Sequence, residues 1–262
     1  IFAVAGFYTD TRVGKRLHIV CAARTSSIEA NAMSNDLPHF ESDEQFHKAI
    51  GYWLPKPETS TENTLRVVDY TPRVSLKLTD TTPQKPKYPA IDSHTHVFKQ
   101  DPADVVRAMD EAGLETIVNM GVGMDEVYKA FSSRFEKAFP GRFAHFASIH
   151  WDAAFRRADF GQGLAEGLER AVGMGAKGIK IWKDAGLTVR TPDGRLLRLD
   201  DERLDPLYAK AGELGVAVCF HSVDPPSFFE PQDRFNERYK ELAAHPDWHF
   251  FGPQFPTRDE VL

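Results

Sequence analysis

The stretch Ile91–Val97, which reads IDSHTHV, decides how the rest of the chain is interpreted. It places His94 and His96 two residues apart in a segment with the apolar ends of a buried strand. Because alternate residues of a strand point to the same face, both imidazoles can reach one metal ion. Asp92 has the same parity, so it either ligates the metal or accepts the outer N–H of a histidine. An ordinary pair of hydrogen-bonded core histidines is the alternative interpretation.

A third histidine strengthens the metal interpretation. His221 follows the apolar run Val216–Phe220, so it also stands at the carboxyl end of a predicted strand. The carboxyl ends of parallel strands meet at one edge of a sheet, which is where such sheets bind ligands. Three histidines at strand ends therefore indicate a metal site in a parallel sheet.

These elements together resemble a known family. The pattern D-x-H-x-H at 92–96, G-x-K-x-W at 178–182 and the later His221 are similar to the amidohydrolase superfamily. The closer likeness is to its metal-dependent hydrolases and decarboxylases, the branch of aminocarboxymuconate semialdehyde decarboxylase, over about residues 88–262. The resemblance implies a barrel of the (β/α)8 type. It also implies a further histidine after strand six and an aspartate after strand eight, which would serve as the base.

The rest of this region alternates between strands and helices, as βα units of a parallel sheet do. His94 and His221 are 127 residues apart, and four βα steps of about 32 residues each fit a (β/α)8 barrel. An open doubly wound sheet is the alternative fold. The predicted strands are Ile91–Val97, Leu114–Met120, Phe143–Ile149, Gly178–Trp182 and Val216–Phe220, with helices between them.

The two ends of the chain follow a different pattern. Residues 1–87 are predicted to form an irregular arm, with short strands at Leu65–Tyr70 and Val74–Leu78, because prolines limit helix there. After the third histidine only 41 residues remain, which include a predicted helix at Asp233–Ala244 and a capping box at Thr257–Glu260. We therefore expect residues 88–262 to be a partial barrel of about five βα units in a C-terminally truncated chain.

Composition excludes several classes of function. The chain has 262 residues, 42% of them hydrophobic, with a net charge of −6 and a pI near 5.9, so a nucleic-acid partner is not expected. Two cysteines, Cys21 and Cys219, indicate neither a disulfide framework nor a cysteine zinc site. No apolar stretch is long enough to span a membrane. We expect a cytoplasmic protein, unless a leader has been lost, that binds a small-molecule substrate, with a homo-oligomer left open.

The three imidazoles suggest a catalytic metal, because they leave a coordination position free for water or substrate. A metal-bound water with a pKa lowered toward ~7 attacks a lactone, amide or C–N bond. Zinc is the default ion, with Mn, Fe and Co as alternatives. The leading hypothesis is thus a metal-dependent hydrolase of a small carboxylated or cyclic metabolite. A nonhydrolytic decarboxylase and a catalytically silent barrel fragment are the alternatives.

Other residues near strand ends complete the candidate site. Lys180 joins Asp92 as a candidate catalytic residue, either carboxylated to bridge two metals or in contact with a substrate carboxylate, although a structural lysine is the competing interpretation. The candidate substrate-binding residues are Lys183, His150, Asn119 and Trp182. Asp224 precedes two prolines and is interpreted as a turn residue.

Overall fold

The computed structural model describes residue 45, residues 48–50, residue 65, residues 67–73 and residues 85–262. No helix in these parts is both long and apolar enough to cross a membrane. The second strand predicted in the arm lies outside the described residues.

In the described part of the chain, five parallel strands form one sheet, and their order in the sheet is their order along the chain. The strands are β1 (Ala90–Thr95), β2 (Leu114–Met120), β3 (Phe143–Ser148), β4 (Gly178–Ile181) and β5 (Ala217–Phe220). The helices are α1 (Pro102–Ala112), α2 (Asp125–Ala138), α3 (Trp151–Ala154), α4 (Phe160–Gly173), α5 (Asp205–Leu214), α6 (Tyr239–Ala244) and α7 (Arg258–Val261), and a kinked helical turn, Asp184–Leu187, follows β4. Each of the five predicted strands is therefore present, with ends shifted by at most two residues.

The sequential strand order separates this sheet from a doubly wound one, in which the order reverses at a switch point. Each connection between neighbouring strands is expected to be right-handed, and each moves one strand further along the sheet, so all the connecting helices lie on the same face of the sheet. On that outer face Ile179 and Ile181 of β4 pack in one apolar cluster with Leu164 and Leu168 of α4. The sheet curls around its other face. The predicted partial (β/α) barrel of about five units is confirmed.

The inner face of the curled sheet is packed closely at its centre. Met120, Phe146 and Cys219, from three different strands, form a buried cluster there. A Cβ at Gly178 would lie 2.5 Å from the Phe146 ring and 2.4 Å from the Ala217 carbonyl oxygen. Only glycine therefore lets β4 approach its neighbours at this point.

Local capping signals explain where several helices begin and end. Asp101 accepts the N–H of Ala103 at 2.7 Å and Pro102 opens α1, while Gly113 ends it with a left-handed φ of 73°. Such an Asp cap and a glycine in the left-handed region are the usual ends of a helix. Thr257 and Glu260 form the predicted capping box at the start of α7.

One predicted helix is much shorter than expected. The sequence predicts a helix over Asp233–Ala244, but only Tyr239–Ala244 is helical. The Asn236 side chain instead donates to the carbonyls of Ser227 at 2.8 Å and Pro231 at 3.0 Å. These bonds hold the preceding residues in turns, because an asparagine side chain competes with the helical backbone for hydrogen bonds.

The predicted strand at Leu65–Tyr70 is wrong, since Val67–Asp69 forms a 3-10 helix. The residues that follow still attach the arm to the barrel. The backbone N–H groups of Thr71 and Arg73 donate to the carbonyls of residues 234–235, both at 2.9 Å. The division of the chain into an arm and a barrel at about residue 88 stays a prediction.

A buried carboxyl lies just after β4. Asp184 is 2% exposed, accepts the N–H of Ala185 at 2.9 Å and accepts a hydrogen bond from the Trp151 side chain. Burial raises the pKa of Asp184 to about 7, against the smaller opposing effects of these hydrogen bonds and of the Lys183 charge. Around neutral pH this carboxyl is therefore close to its midpoint of ionisation.

The raised pKa of Asp184 predicts a pH-dependent stability. Between pH 3.8 and about 7 the folded state holds a proton that the unfolded state has lost, so the free energy of unfolding falls as the pH rises. Asp184→Asn removes this contribution. In urea titrations we expect the variant to gain stability over the wild type from pH 4 to pH 7, by an amount on the order of a few kcal/mol. A difference between the two proteins that does not change with pH would contradict the prediction.

Candidate functional site

Three histidines and one lysine gather at the carboxyl edge of the inner face. The rings of His94 and His96, at the end of β1, have centroids 5.1 Å apart. His221 follows β5 directly, and its backbone N–H donates to the Ile181 carbonyl at 3.0 Å, which extends the pairing with β4. The Lys180 charge acts on the pKa of all three histidines. The sequence predicted that the histidines stand at strand ends, because His94 and His96 are two residues apart on one strand and His221 follows an apolar run.

The end of β1 is irregular. Asp92 pairs with Ile117 and Thr95 pairs with Asn119, so β1 spends one more residue than β2 between these two pairs. The Asp92 carboxylate accepts the backbone N–H of His94 at 3.0 Å inside this irregularity. A bulge of this kind redirects side chains and is common near functional sites. Asp92 thus stabilises the backbone at His94, and burial raises the pKa of its carboxyl.

The ring of His96 is held from two sides. Its Nδ1 lies 3.0 Å from the Met120 carbonyl oxygen, which can only accept, so Nδ1 carries the proton and Nε2 the lone pair. The Trp182 indole stacks on the imidazole with centroids 4.9 Å apart and planes 30° apart. Gly121 makes room for that indole, because a Cβ there would lie 2.5 Å from Trp182.

His221 is oriented by a carboxylate. Its Nε2 lies 3.3 Å from Oδ1 of Asp224, while Oδ2 of Asp224 accepts from Lys183 Nζ at 2.6 Å. Burial raises the pKa of Asp224, but the hydrogen bond from His221 and the Lys183 charge outweigh it and hold this pKa below the usual value. The ionised carboxylate accepts a hydrogen bond from the N–H at Nε2, so the lone pair of His221 lies on Nδ1.

Lys180 is fully buried on β4. Its Nζ lies 3.6 Å from Cys219 Sγ and 5.4 Å from the centre of the Trp182 ring. Burial lowers the pKa of this ammonium group, and the neighbouring cysteine offsets the effect only in part. In the part of the chain that the structure describes, no carboxylate forms an ion pair with Lys180.

The histidines are neutral at physiological pH. Burial, then the charges of Lys180 and the other histidines, lowers the pKa of His94 to about 3. Desolvation by the surrounding protein lowers the pKa of His96 to about 4, and the hydrogen bond to Met120 opposes this shift only in part. The residue is nevertheless partly exposed to water. Burial also lowers the pKa of His221. Neutral imidazoles are the form that binds a metal ion.

The donor set fits a divalent metal in kind. His96 and His221 each have one nitrogen held by an oxygen acceptor and the other carrying a lone pair, as metal-binding histidines do. The Nδ1 of His94 is buried and has no hydrogen-bond partner in the described structure. Over the described residues, however, no three His, Cys, Asp or Glu side chains are close enough to hold one ion as they stand. A metal would therefore have to draw the three imidazoles together.

Two predicted substrate-binding residues lie away from this cluster. Asn119 is fully buried and has the parity of Ile117, which packs in the apolar cluster with α1, so its side chain lies on the outer face. His150 precedes α3 and is half-buried. Burial lowers its pKa, and the charges acting on it are those of Asp152, Arg156 and Lys48.

Lys183, a third predicted substrate-binding residue, lies near enough to His221 for its charge to lower the pKa of that histidine. It is 4% exposed and forms the ion pair with Asp224 described above. Its Nζ also lies 5.2–5.7 Å from the centres of the rings of Phe228, Trp248 and Phe250. Lys183 thus fastens the loop after β4 to the segment after β5.

Sequence reasoning missed two parts of this arrangement. Asp224 was interpreted as a turn residue, yet it bridges His221 and Lys183, and its spacing of three residues from His221 was the signal available. His145 is 3% exposed on β3, and its Nδ1 accepts from Asn119 Nδ2 at 3.3 Å. Nothing in the local sequence pairs these two residues.

Comparisons with known proteins find structural similarity over part of the chain. No family model matches the chain, and no curated protein matches it. Among solved structures, the chain is similar to 2,6-dihydroxybenzoate decarboxylase from Rhizobium, with 18% identity and a TM-score of 0.40 over 64% of this chain and 56% of that one. It is also similar to a protein from Staphylococcus aureus described as an amidohydrolase, with 17% identity and a TM-score of 0.39 over 59% of this chain and 55% of that one. A third similar structure is 5-carboxyvanillate decarboxylase from Novosphingobium aromaticivorans, with 17% identity and a TM-score of 0.34 over 58% of this chain and 40% of that one. The chain spans about half the length of these solved structures.

The buried ion pair predicts a stability effect that a substrate contact would not produce. Lys183→Met leaves the Asp224 carboxylate buried without its cation, so we expect the free energy of unfolding to fall by about 3 kcal/mol. The double variant Lys183→Met/Asp224→Asn removes the stranded charge and should recover part of that loss. Chemical denaturation checks both. A Lys183→Met protein as stable as the wild type would contradict this assignment.

Proposed function

We propose that this chain is part of a metal-dependent enzyme that acts on a small carboxylated or cyclic metabolite, with hydrolysis as its reaction. The observation that carries the proposal is the convergence of three neutral imidazoles and one buried lysine. His94, His96, His221 and Lys180 come from three strands and lie toward the carboxyl edge of the inner face, where barrels of this type hold their active sites.

In this proposal His94, His96 and His221 hold the metal, with zinc as the default. The bound ion supplies an acidic water or polarises the substrate. The protein's own groups set the orientation of the ligands. The Met120 carbonyl keeps the lone pair of His96 on Nε2, and Asp224 keeps that of His221 on Nδ1.

Lys180 gives the proposed site its preference for a carboxylated substrate. A buried ammonium without an ion-pair partner in the described structure favours an anion in its place, because desolvation has removed the water that would otherwise stabilise it. The three imidazoles nearby are neutral and cannot balance the charge of Lys180. A substrate carboxylate at Lys180 would lie at the same edge as the metal ligands.

Decarboxylation is the second candidate reaction, and the engagement of the local carboxylates favours it. Hydrolysis needs a base that takes a proton from water. Asp92 already accepts the backbone N–H of His94, and Asp224 already bridges His221 and Lys183. Loss of CO2 breaks a C–C bond and needs no base, but the carbon left behind takes up a proton, which solvent water can supply. Lys180 would bind the carboxylate of the substrate.

Metal content tests the core of the proposal. In plasma mass spectrometry of purified protein after dialysis with zinc, we expect about one metal ion per chain in the wild type. His94→Ala/His96→Ala should lose it, because two of the three ligands are gone. His249→Ala is the matched control, since its ring contacts the Glu230 carbonyl far along the chain from the strand ends. Folded wild-type protein that takes up no metal would sink the proposal.

A substrate screen on the metal-loaded protein separates the two reactions. Release of CO2 from aromatic or unsaturated carboxylic acids would assign decarboxylation, and opening of lactones or amides without CO2 would assign hydrolysis.

Lys180→Met tests the contact with a substrate carboxylate. On a carboxylated substrate we expect kcat/KM to fall by about 10- to 100-fold, mainly through KM, because one hydrogen bond to a charged group is lost. The corresponding methyl ester should be affected far less. Lys177→Met is the matched control, since Lys177 is exposed just before β4. Equal losses on the acid and its ester would refute the contact.

A further inference from the structure

Two consecutive residues of β2 form hydrogen bonds to the segment just after β1. Asn119 bonds the backbone of Val97, the residue after His96, and the Met120 carbonyl bonds the His96 ring itself. The ring of the proposed ligand and the backbone of the residue that follows it are thus fixed from the same short segment. The regular pairing of β1 with β2 ends at Thr95, so these contacts take over where the ladder stops.

The Asn119 amide acts as a substitute for a peptide group. Its Oδ1 accepts the N–H of Val97 at 2.9 Å, and its Nδ2 donates to the Val97 carbonyl at 2.7 Å. The assignment of oxygen and nitrogen is forced, because a backbone N–H can bond only the oxygen. Both polar groups of Val97, a buried residue, are satisfied by this one side chain.

A second buried residue fixes Asn119 in turn. His145 Nδ1 lies 3.3 Å from Asn119 Nδ2 and accepts a hydrogen bond from its second N–H. The imidazole is stacked 6.0 Å from Phe143, with planes 6° apart, and tilted 5.7 Å from Phe135, so it has little freedom to turn. Asn119 therefore sits between a rigid ring and the strand end, with every polar atom of its side chain engaged.

We propose that Asn119 is a positioning residue that holds the His96–Val97 backbone, and with it the His96 imidazole, in place for the metal. The functional part of this inference rests on the proposed metal site. Asn119 lies on the outer face of the sheet, so it acts without touching metal or substrate. Groups that orient metal ligands in this indirect way typically change metal affinity by 10- to 100-fold when they are removed.

The test compares Asn119→Leu with the wild type by two readouts. Leucine keeps the volume and removes all three hydrogen bonds. In the metal-free protein, hydrogen exchange followed by NMR should show the Val97 amide exchanging at least about ten times faster, because its acceptor is gone. In competition titrations with a chromophoric chelator, the zinc affinity should fall by about ten-fold.

Two further variants keep the test decisive. Ile117→Val disturbs the same strand and the same apolar cluster without touching these bonds, so both readouts should stay at wild-type values. If Asn119→Leu does not fold, Asn119→Asp replaces it, since the carboxylate keeps the acceptor for the Val97 N–H but loses the donors. Its Val97 amide should stay protected while its zinc affinity falls.

Failure of the inference differs from failure of the proposed function. Folded Asn119 variants with wild-type exchange at Val97 and wild-type zinc affinity would overturn the positioning role, even if the wild type binds zinc. If the wild type binds no zinc, the proposed function fails. The positioning role is then decided by Val97 exchange and by the ring ¹⁵N signals of His96, which should lose their single tautomer in Asn119→Leu.

Discussion

The alternation of side chains along parallel strands is the constraint on which the rest of this structure depends. On β4, Ile179 and Ile181 face the helices, so Lys180 between them must face the inside of the curled sheet. The same rule puts His94 and His96 on one side of β1. A parallel sheet buried on its outer face by helices holds polar residues there only when they are hydrogen-bonded, as Asn119 and His145 are, and the other polar side chains of this sheet lie toward the inner face and the carboxyl edge.

Burial then gives those polar groups their chemistry. Desolvation lowers the pKa of His94 and of Lys180. The imidazoles therefore keep their lone pairs, and burying the charged ammonium group costs free energy. The nearby acids do not offset that cost, because Asp224 is turned toward Lys183 and His221. The site is thus short of negative charge and rich in nitrogen donors, a balance that suits an anion and a metal together.

Local signals predicted most of the fold. Apolar runs bounded by Gly113 or Gly215 fix where strands and helices change over, and both glycines take left-handed conformations. The proximity of His94 and His96 also follows from spacing. What the sequence could not provide is the face on which each strand residue lies. Asn119 alternates with Met120 as regularly as any strand residue, and only the packing of α1 shows that Asn119 points outward. Likewise, Lys183 and Asp224 are 41 residues apart, and no local rule pairs them.

The Asp224 carboxylate serves two loops with one group. One oxygen receives the lysine from the loop after β4, and the other receives His221 at the end of β5. Its backbone carbonyl also accepts from Arg258 at 3.4 Å. These segments therefore behave as a single mechanical unit. Insertions or deletions in one of them would be tolerated only when the others adjust, so their lengths should vary in concert among relatives of this chain.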